Sequence, residues 1–229
     1  MDNPTLGRLR AAIVDLDGTL VDTLGDFCAA LDRMLERLGH PPIDRAVVET
    51  FIGKGSEHLI RRTLAHAGLP PERFDDAWTW YQAAYAEVNG EHSALFPGAR
   101  EGVEALRAAG LQLACLTNKP TVFARELLRR KGLGDYFLLV FGGDAFSRKK
   151  PDPLPVVKTC EALGLPPAAC VMVGDSANDA AAARGAGCPV LLVTYGYNHG
   201  EPVRAGDADG FVDSLADAVV VLGRMAIIR

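Results

Sequence analysis

The stretch AAIVDLDGTLVDT, residues 11–23, places two carboxylates, Asp15 and Asp17, directly after an apolar run. In extended chain, residues two apart project to the same side. Like charges that close repel, so one carboxyl is driven toward its protonated form unless a cation sits between them. The pair is therefore half of a cation-dependent site or a turn whose aspartates cap backbone groups. Three later stretches add chemistry-bearing residues: Thr117, Asn118 and Lys119 in LTNK, Lys150 in SRKKPDP, and Asp175, Ser176 and Asp179 in GDSAND. Carboxylates and carbonyl oxygens together make a hard oxygen site suited to Mg²⁺. A threonine hydroxyl, backbone N–H groups at helix starts and a lysine are phosphate-binding groups. With cations present an aspartate can approach a phosphate dianion and form an acyl phosphate, and a second acid can protonate the leaving alkoxide. Phosphate monoester hydrolysis demands up to ~10²¹-fold acceleration. General acid–base help supplies about 10²–10⁴ of that. Positioning and charge stabilisation must supply the rest.

These residues need elements that bring them together across more than 150 positions of sequence. Short β-rich runs at 11–15, 111–118, 136–144, 170–175 and 189–194 alternate with helical patterns at Ala99–Ala109, Thr121–Lys131, Pro155–Leu163 and Ala177–Ala186. Alternation of this kind predicts right-handed βαβ crossovers and a Rossmann-like parallel sheet with helices on both faces, an α/β fold. Ligands of such sheets bind beyond the carboxyl ends of the strands, where each chemical residue above falls. Residues 22–92 break the alternation. Leu24, Phe27, Leu31, Met34, Leu35 and Leu38 recur at helical spacing, and SEHLIRRTLAHAG and PERFDDAWTWYQAAYAEVNG read as further helices. A four-helix insertion is expected, giving an α/β core of residues 1–21 and 93–229 and an all-α cap of residues 22–92, placed to act as a lid. Lys54, between Gly53 and Gly55 in FIGKGSEH, is either a substrate-carboxylate contact or a wet lysine in a mobile loop. Trp78, Trp80, Tyr81 and Tyr85 are expected to pack cap helices, with a substrate box as the alternative.

Composition sets outer limits. Of 229 residues 48% are hydrophobic and 23% charged, enough apolar material for a sizeable core. With a net charge of −5 and no dense Lys/Arg run, neither DNA nor RNA is expected as partner. Five cysteines without CxxC spacing point to reduced core thiols, with disulfides or a zinc site as the alternative. The N-terminus lacks a long apolar leader segment and no run approaches ~18 apolar residues, so no membrane span is expected and the cytoplasm is the expected location. Nothing in the sequence indicates an oligomeric state.

DLDGT (15–19), LTN (116–118), KKPDP (149–153) and GDSAND (174–179) resemble, in order, the four motifs of the haloacid dehalogenase-like (HAD) phosphatases, with the helical segment where that family's small α-helical cap inserts. LTNKPT, FGGD, KKPDP, GDSAND and TYGYNHGE resemble in particular the bacterial phosphoglycolate phosphatases. The resemblance implies Mg²⁺ as cofactor and a small phosphomonoester, 2-phosphoglycolate, as substrate. It implies Asp15 as nucleophile, Asp17 as acid/base and Lys150 as the charge-neutralising lysine. Thr117 and Asn118 would hold phosphate; Asp15, the Asp17 carbonyl and Asp175 would hold the metal; Asp179 would support the site. A phosphomutase on the same scaffold is the alternative enzyme, and a non-catalytic phospho-acceptor switch is the remote one.

Overall fold

The computed structural model describes residues 8–227. The expectation about the leader segment, and the ends of the expected core range, lie outside those residues. The chain runs β1 (Ala11–Val14), β2 (Val21–Asp22), α1 (Leu24–Arg37), α2 (Arg45–Glu49), α3 (Ser56–His66), α4 (Phe74–Val88), β3 (Ala94–Leu95), α5 (Ala99–Ala108), β4 (Gln112–Leu116), α6 (Thr121–Arg130), β5 (Leu139–Phe141), α7 (Leu154–Leu163), β6 (Cys170–Gly174), α8 (Ala177–Ala186), β7 (Val190–Val193), β8 (Gly210–Val212) and α9 (Ala218–Ile227).

Six strands form one parallel sheet in the order β5-β4-β1-β6-β7-β8. β1 is central and buried on both faces, which is why AAIV reads as an unbroken apolar run rather than an alternating one. Alternate residues feed two separate cores. Ala12, Val14, Leu113, Cys115, Val171 and Val173 face α5, α6 and α9, against Val103, Leu106, Leu127 and Leu222. Ala11, Ile13, Leu116, Cys170 and Met172 face α7 and α8, against Val156, Cys160, Ala182 and Ala183. Small residues along α8 let it lie close to the sheet.

Between β2 and β3 the chain forms α1 to α4, which share a core of their own: Leu24, Phe27, Leu31, Met34 and Leu35 of α1 pack with Leu59, Ile60, Leu64, Tyr81 and Tyr85. β2 and β3 pair antiparallel, Val21 with Leu95, at the entrance to this unit. No helix among the described residues is long and apolar enough to cross a membrane. All five cysteines are free thiols, four of them buried.

The structure departs from the sequence expectation in its short elements. The expected strand over 136–144 shrinks to Leu139–Phe141, because residues 134–136 turn as a 3₁₀ segment. β8, α2 and the β2/β3 pair are too short to register as patterns, and α9 opens on the continuous apolar run AVVVL, which carries no helical period.

Candidate active site

Val14 pairs with Cys115 on one side and Val173 on the other, so the residues that follow β1, β4 and β6 meet on one rim. These are Asp15, Thr117 and Asp175. The order reverses at β1, where a doubly wound sheet opens its crevice.

The Lys150 side chain, 2% exposed, lies beneath this rim. Its Nζ donates to the Leu116 carbonyl at 2.8 Å and Asp179 Oδ1 at 2.7 Å, and lies 3.0 Å from Asp15 Oδ1. An ammonium has three N–H donors, so all three are engaged and the side chain is fixed. Asp15 Oδ1 also accepts from the Leu16 N–H at 2.8 Å. Oδ2 has no protein donor among the described residues.

The Asp179 side chain is fully buried. Its second oxygen accepts from Ser176 Oγ at 2.9 Å, Ser176 N at 3.2 Å and Asp175 N at 3.3 Å, a capping box at the start of α8. Asp175 is oriented by Thr19 Oγ1 (3.1 Å) and the Tyr197 N–H (2.6 Å). Gly18 and Gly196 make room for it. A Cβ on Gly18, which sits at φ +86°, would lie 2.2 Å from Asp175 Oδ2, and one on Gly196 would lie 2.2 Å from Asp175 Cβ. Gly196, read from the sequence as a turn residue, is thus a close-approach position.

Burial pushes the Asp15 carboxyl up to about 7, with Lys150 opposing the rise and Asp179 adding to it. Asp175 is raised as well, by burial and then by Asp179 and Asp15. Burial works against the Lys150 charge, but Asp15 and Asp179 outweigh it and hold that pKa above its ordinary value. The rim therefore carries more negative charge than one ammonium balances. Ligand oxygens of Asp15, Asp175 and Asp179 lie within 4.8 Å of one another. This donor set fits a hard divalent cation such as Mg²⁺.

Above the rim is a small cavity of about 30 Å³, walled by Asp15, Asp17, Thr117 and Lys119 from the sheet side and Phe27, Gly53, Ser56 and Tyr85 from the helical unit. Thr117 Oγ1 accepts from the Lys119 N–H at 3.2 Å. Asn118, expected at the phosphate, lines the cavity, and its side chain also acts as a clamp. It donates to the carbonyls of Lys150 (2.8 Å) and Gly53 (2.9 Å) and accepts from the Lys150 N–H (3.1 Å). Asn178 donates to the same Gly53 carbonyl at 3.2 Å and bonds His199 Nε2 at 3.0 Å. Lys54 is exposed and outside the cavity lining, while its neighbours Gly53 and Gly55 line it.

A profile of haloacid dehalogenase-like hydrolases matches residues 9–187. The chain belongs to that family. As a HAD-like hydrolase it is an enzyme, and its relatives share nearly the whole chain. It is 43% identical over 217 residues to a phosphoglycolate phosphatase of Thiobacillus denitrificans, covering 93% of this chain and 96% of the relative. It is 47% identical over 208 residues to a plasmid-borne phosphoglycolate phosphatase of Cupriavidus necator, covering 90% and 89%. A crystal structure of a predicted phosphoglycolate phosphatase from Haemophilus somnus superposes with a TM-score of 0.89 at 34% identity, covering 93% and 98%.

For three groups in this HAD-like hydrolase the structure supplies partners that the sequence leaves open. Lys119, read from the sequence at a strand end beside Thr117 and Asn118 but given no role there, is buried and pairs with Asp17 Oδ1 at 2.8 Å. Tyr85, expected to pack the cap helices rather than form a substrate box, reaches the cavity because the last turns of α4 face the rim, and its hydroxyl accepts from Lys119 Nζ at 2.6 Å. Tyr197 bridges the two units through its N–H to Asp175 and its hydroxyl to Asp22.

Proposed function

We propose that this hydrolase is a Mg²⁺-dependent phosphatase that converts 2-phosphoglycolate to glycolate and phosphate through an acyl phosphate on Asp15. One observation carries the reading: Asp15, in the cavity lining, has Oδ1 held from two sides, by Leu16 N–H and Lys150, while Oδ2 has no protein donor among the described residues. Oδ2 attacks phosphorus, the bond to the leaving oxygen breaks, and the carboxylic proton of Asp17 passes to that oxygen. Water then attacks phosphorus, its proton passes to Asp17, and the acyl phosphate bond breaks to restore Asp15. Lys150 and Thr117 are assigned to the phosphoryl oxygens, Lys150 as fixed positive charge and Thr117 as a hydroxyl donor. Asp15, the Asp17 carbonyl and Asp175 would hold Mg²⁺, which when bound supplies charge neutralisation at the phosphate. Asp179 and Asn118 position Lys150, through its ammonium and its backbone respectively.

A small substrate suits the cavity, which the sheet side and the helical unit wall together. The Gly53 carbonyl, held by Asn118 and Asn178, ties the helical unit to the rim over the cavity, and residues 22–92 are assigned as a cap domain that opens and recloses around the substrate. The relatives' names support glycolate as the leaving group, and the cytoplasm is the proposed setting. Phosphate release should be faster from 2-phosphoglycolate than from sugar phosphates, nucleotides or an aryl phosphate. Asp15→Asn should lower it by at least about a thousandfold. Full activity in that variant removes Asp15 as nucleophile; equal rates across the panel remove the phosphoglycolate assignment.

A further inference from the structure

Two buried ammonium groups stand near the reaction centre, and they differ in one respect. Lys150 has all three N–H donors engaged, as described above. Lys119, whose side chain is also 2% exposed, gives one to Asp17 Oδ1 and one to the Tyr85 hydroxyl. The third has no protein acceptor among the described residues. Its remaining surface lies against the rings of Phe27, at 4.7 Å, and Tyr85, at 4.8 Å. Tyr85 is in the matching position: its oxygen accepts from Lys119, so its own O–H points elsewhere, and no protein acceptor among the described residues takes it. Both residues line the cavity that holds Asp15 and Thr117. Among the described residues lining that cavity, Lys119 is the one cation.

We propose that Lys119, together with the Tyr85 hydroxyl supplied by α4, receives the carboxylate of the substrate and so selects a phosphorylated 2-hydroxy acid over a neutral phosphomonoester. The inference rests on the phosphatase reading above. The bond count of the substrate supports it. A leaving oxygen within hydrogen-bond reach of Asp17 carries its carboxylate two bonds away, so the carboxylate falls in the shell around Asp17, where Lys119 Nζ stands 2.8 Å from Oδ1. An N–H and an O–H side by side offer a carboxylate one donor for each oxygen. Because Tyr85 belongs to the helical unit and Lys119 to the sheet, the receptor is complete only when the two are together. Lys54 and Lys149, both exposed, stand outside the lining.

The test compares 2-phosphoglycolate with ethyl phosphate, which keeps the leaving CH₂–O and replaces the carboxylate by methyl. The readout is the ratio of the two kcat/KM values, so any general loss from disturbing Asp17 cancels. Wild type should favour 2-phosphoglycolate. Lys119→Met should lower the ratio about ten- to hundredfold, the value of one or two hydrogen bonds to a charged group; Lys119→Arg should retain part of it. The inhibition constants of 3-phosphonopropionate and propylphosphonate should converge in Lys119→Met by a similar factor, a measurement that needs binding but little turnover. If Lys119→Met does not fold, Tyr85→Phe carries the test, with the ratio expected to fall about tenfold. A wild-type preference that survives unchanged in these variants overturns the role of Lys119 and Tyr85 and leaves the phosphatase reading standing. Wild-type protein that turns over both compounds equally, or neither, overturns the substrate reading and this inference with it.

Discussion

Asp179→Asn isolates the most unusual feature of the site, a buried lysine gripped by two carboxylates. The change is isosteric, so it opens no cavity. It removes the negative charge 2.7 Å from Lys150 Nζ and sets an amide where both oxygens now accept. One oxygen faces Lys150; the other faces Ser176 Oγ, Ser176 N and Asp175 N. Asparagine has one acceptor and one donor end, so either orientation points N–H groups at N–H or O–H groups. Losing a hydrogen bond to a charged group costs about 1.5–3 kcal/mol, and burying mismatched donors adds to it. Lys150 keeps Asp15 and the Leu116 carbonyl, so the loss stays below the ~5 kcal/mol seen when a buried charge loses its whole partner set. About 3 kcal/mol is expected. For a domain of this size that lowers the melting temperature by roughly 6–12 °C. The assay is thermal unfolding with and without Mg²⁺. Because the partner is Lys150, the drop should be present in full in chelator. A variant that melts like wild type in chelator and loses stability only when Mg²⁺ is added would show that Asp179 acts through a metal rather than through Lys150.

Two further perturbations follow from the same geometry. In metal-free protein Asp15 binds a proton up to about pH 7, against 3.8 for an ordinary aspartate, so between those values the folded state holds more protons than the unfolded one. Stability contributed by this group is therefore greatest at acid pH and falls by up to about 4 kcal/mol as pH rises from about 4 to about 7. Asp175 acts in the same direction. Mg²⁺ competes with those protons, so it should raise the melting temperature more at pH 8 than at pH 5.5; equal shifts contradict the assignment. Gly18→Ala forces a Cβ to within 2.2 Å of Asp175 Oδ2 at a φ of +86°. It should weaken Mg²⁺ binding, followed by calorimetry, at least about tenfold as Asp175 is displaced, and an unchanged titration argues against Asp175 as a ligand.

Legibility in the sequence followed the physics of each element. β1, β4, β6 and β7 announced themselves because strands buried on both faces must be apolar throughout, and α1 because one face carries Leu24, Phe27, Leu31, Met34 and Leu35 into a core. β8 and the β2/β3 pair are two or three residues long and held by neighbours, so nothing local encodes them. Asp15, Thr117, Lys150 and Asp175 converge because the parallel sheet rule acts on strand ends, whatever their distance in sequence. Lys119 and Tyr85 were harder for a different reason. Their meeting depends on how α4 lies over the rim, a tertiary fact that periodicity does not contain. Lys54 was left open by the sequence, since flanking glycines mark a loop without saying which of its atoms meet the cavity; Gly53 and Gly55 line it, while Lys54 is exposed and outside the lining.

The central claim is that the phosphoryl group passes through Asp15. Mixing enzyme with labelled 2-phosphoglycolate and Mg²⁺, quenching in acid within milliseconds and mapping the peptides tests it directly. The label should appear on the peptide containing residues 11–23, at Asp15, and be absent from Asp15→Asn. Label on any other residue, or turnover with no acid-trapped phosphopeptide at any time point, contradicts the account.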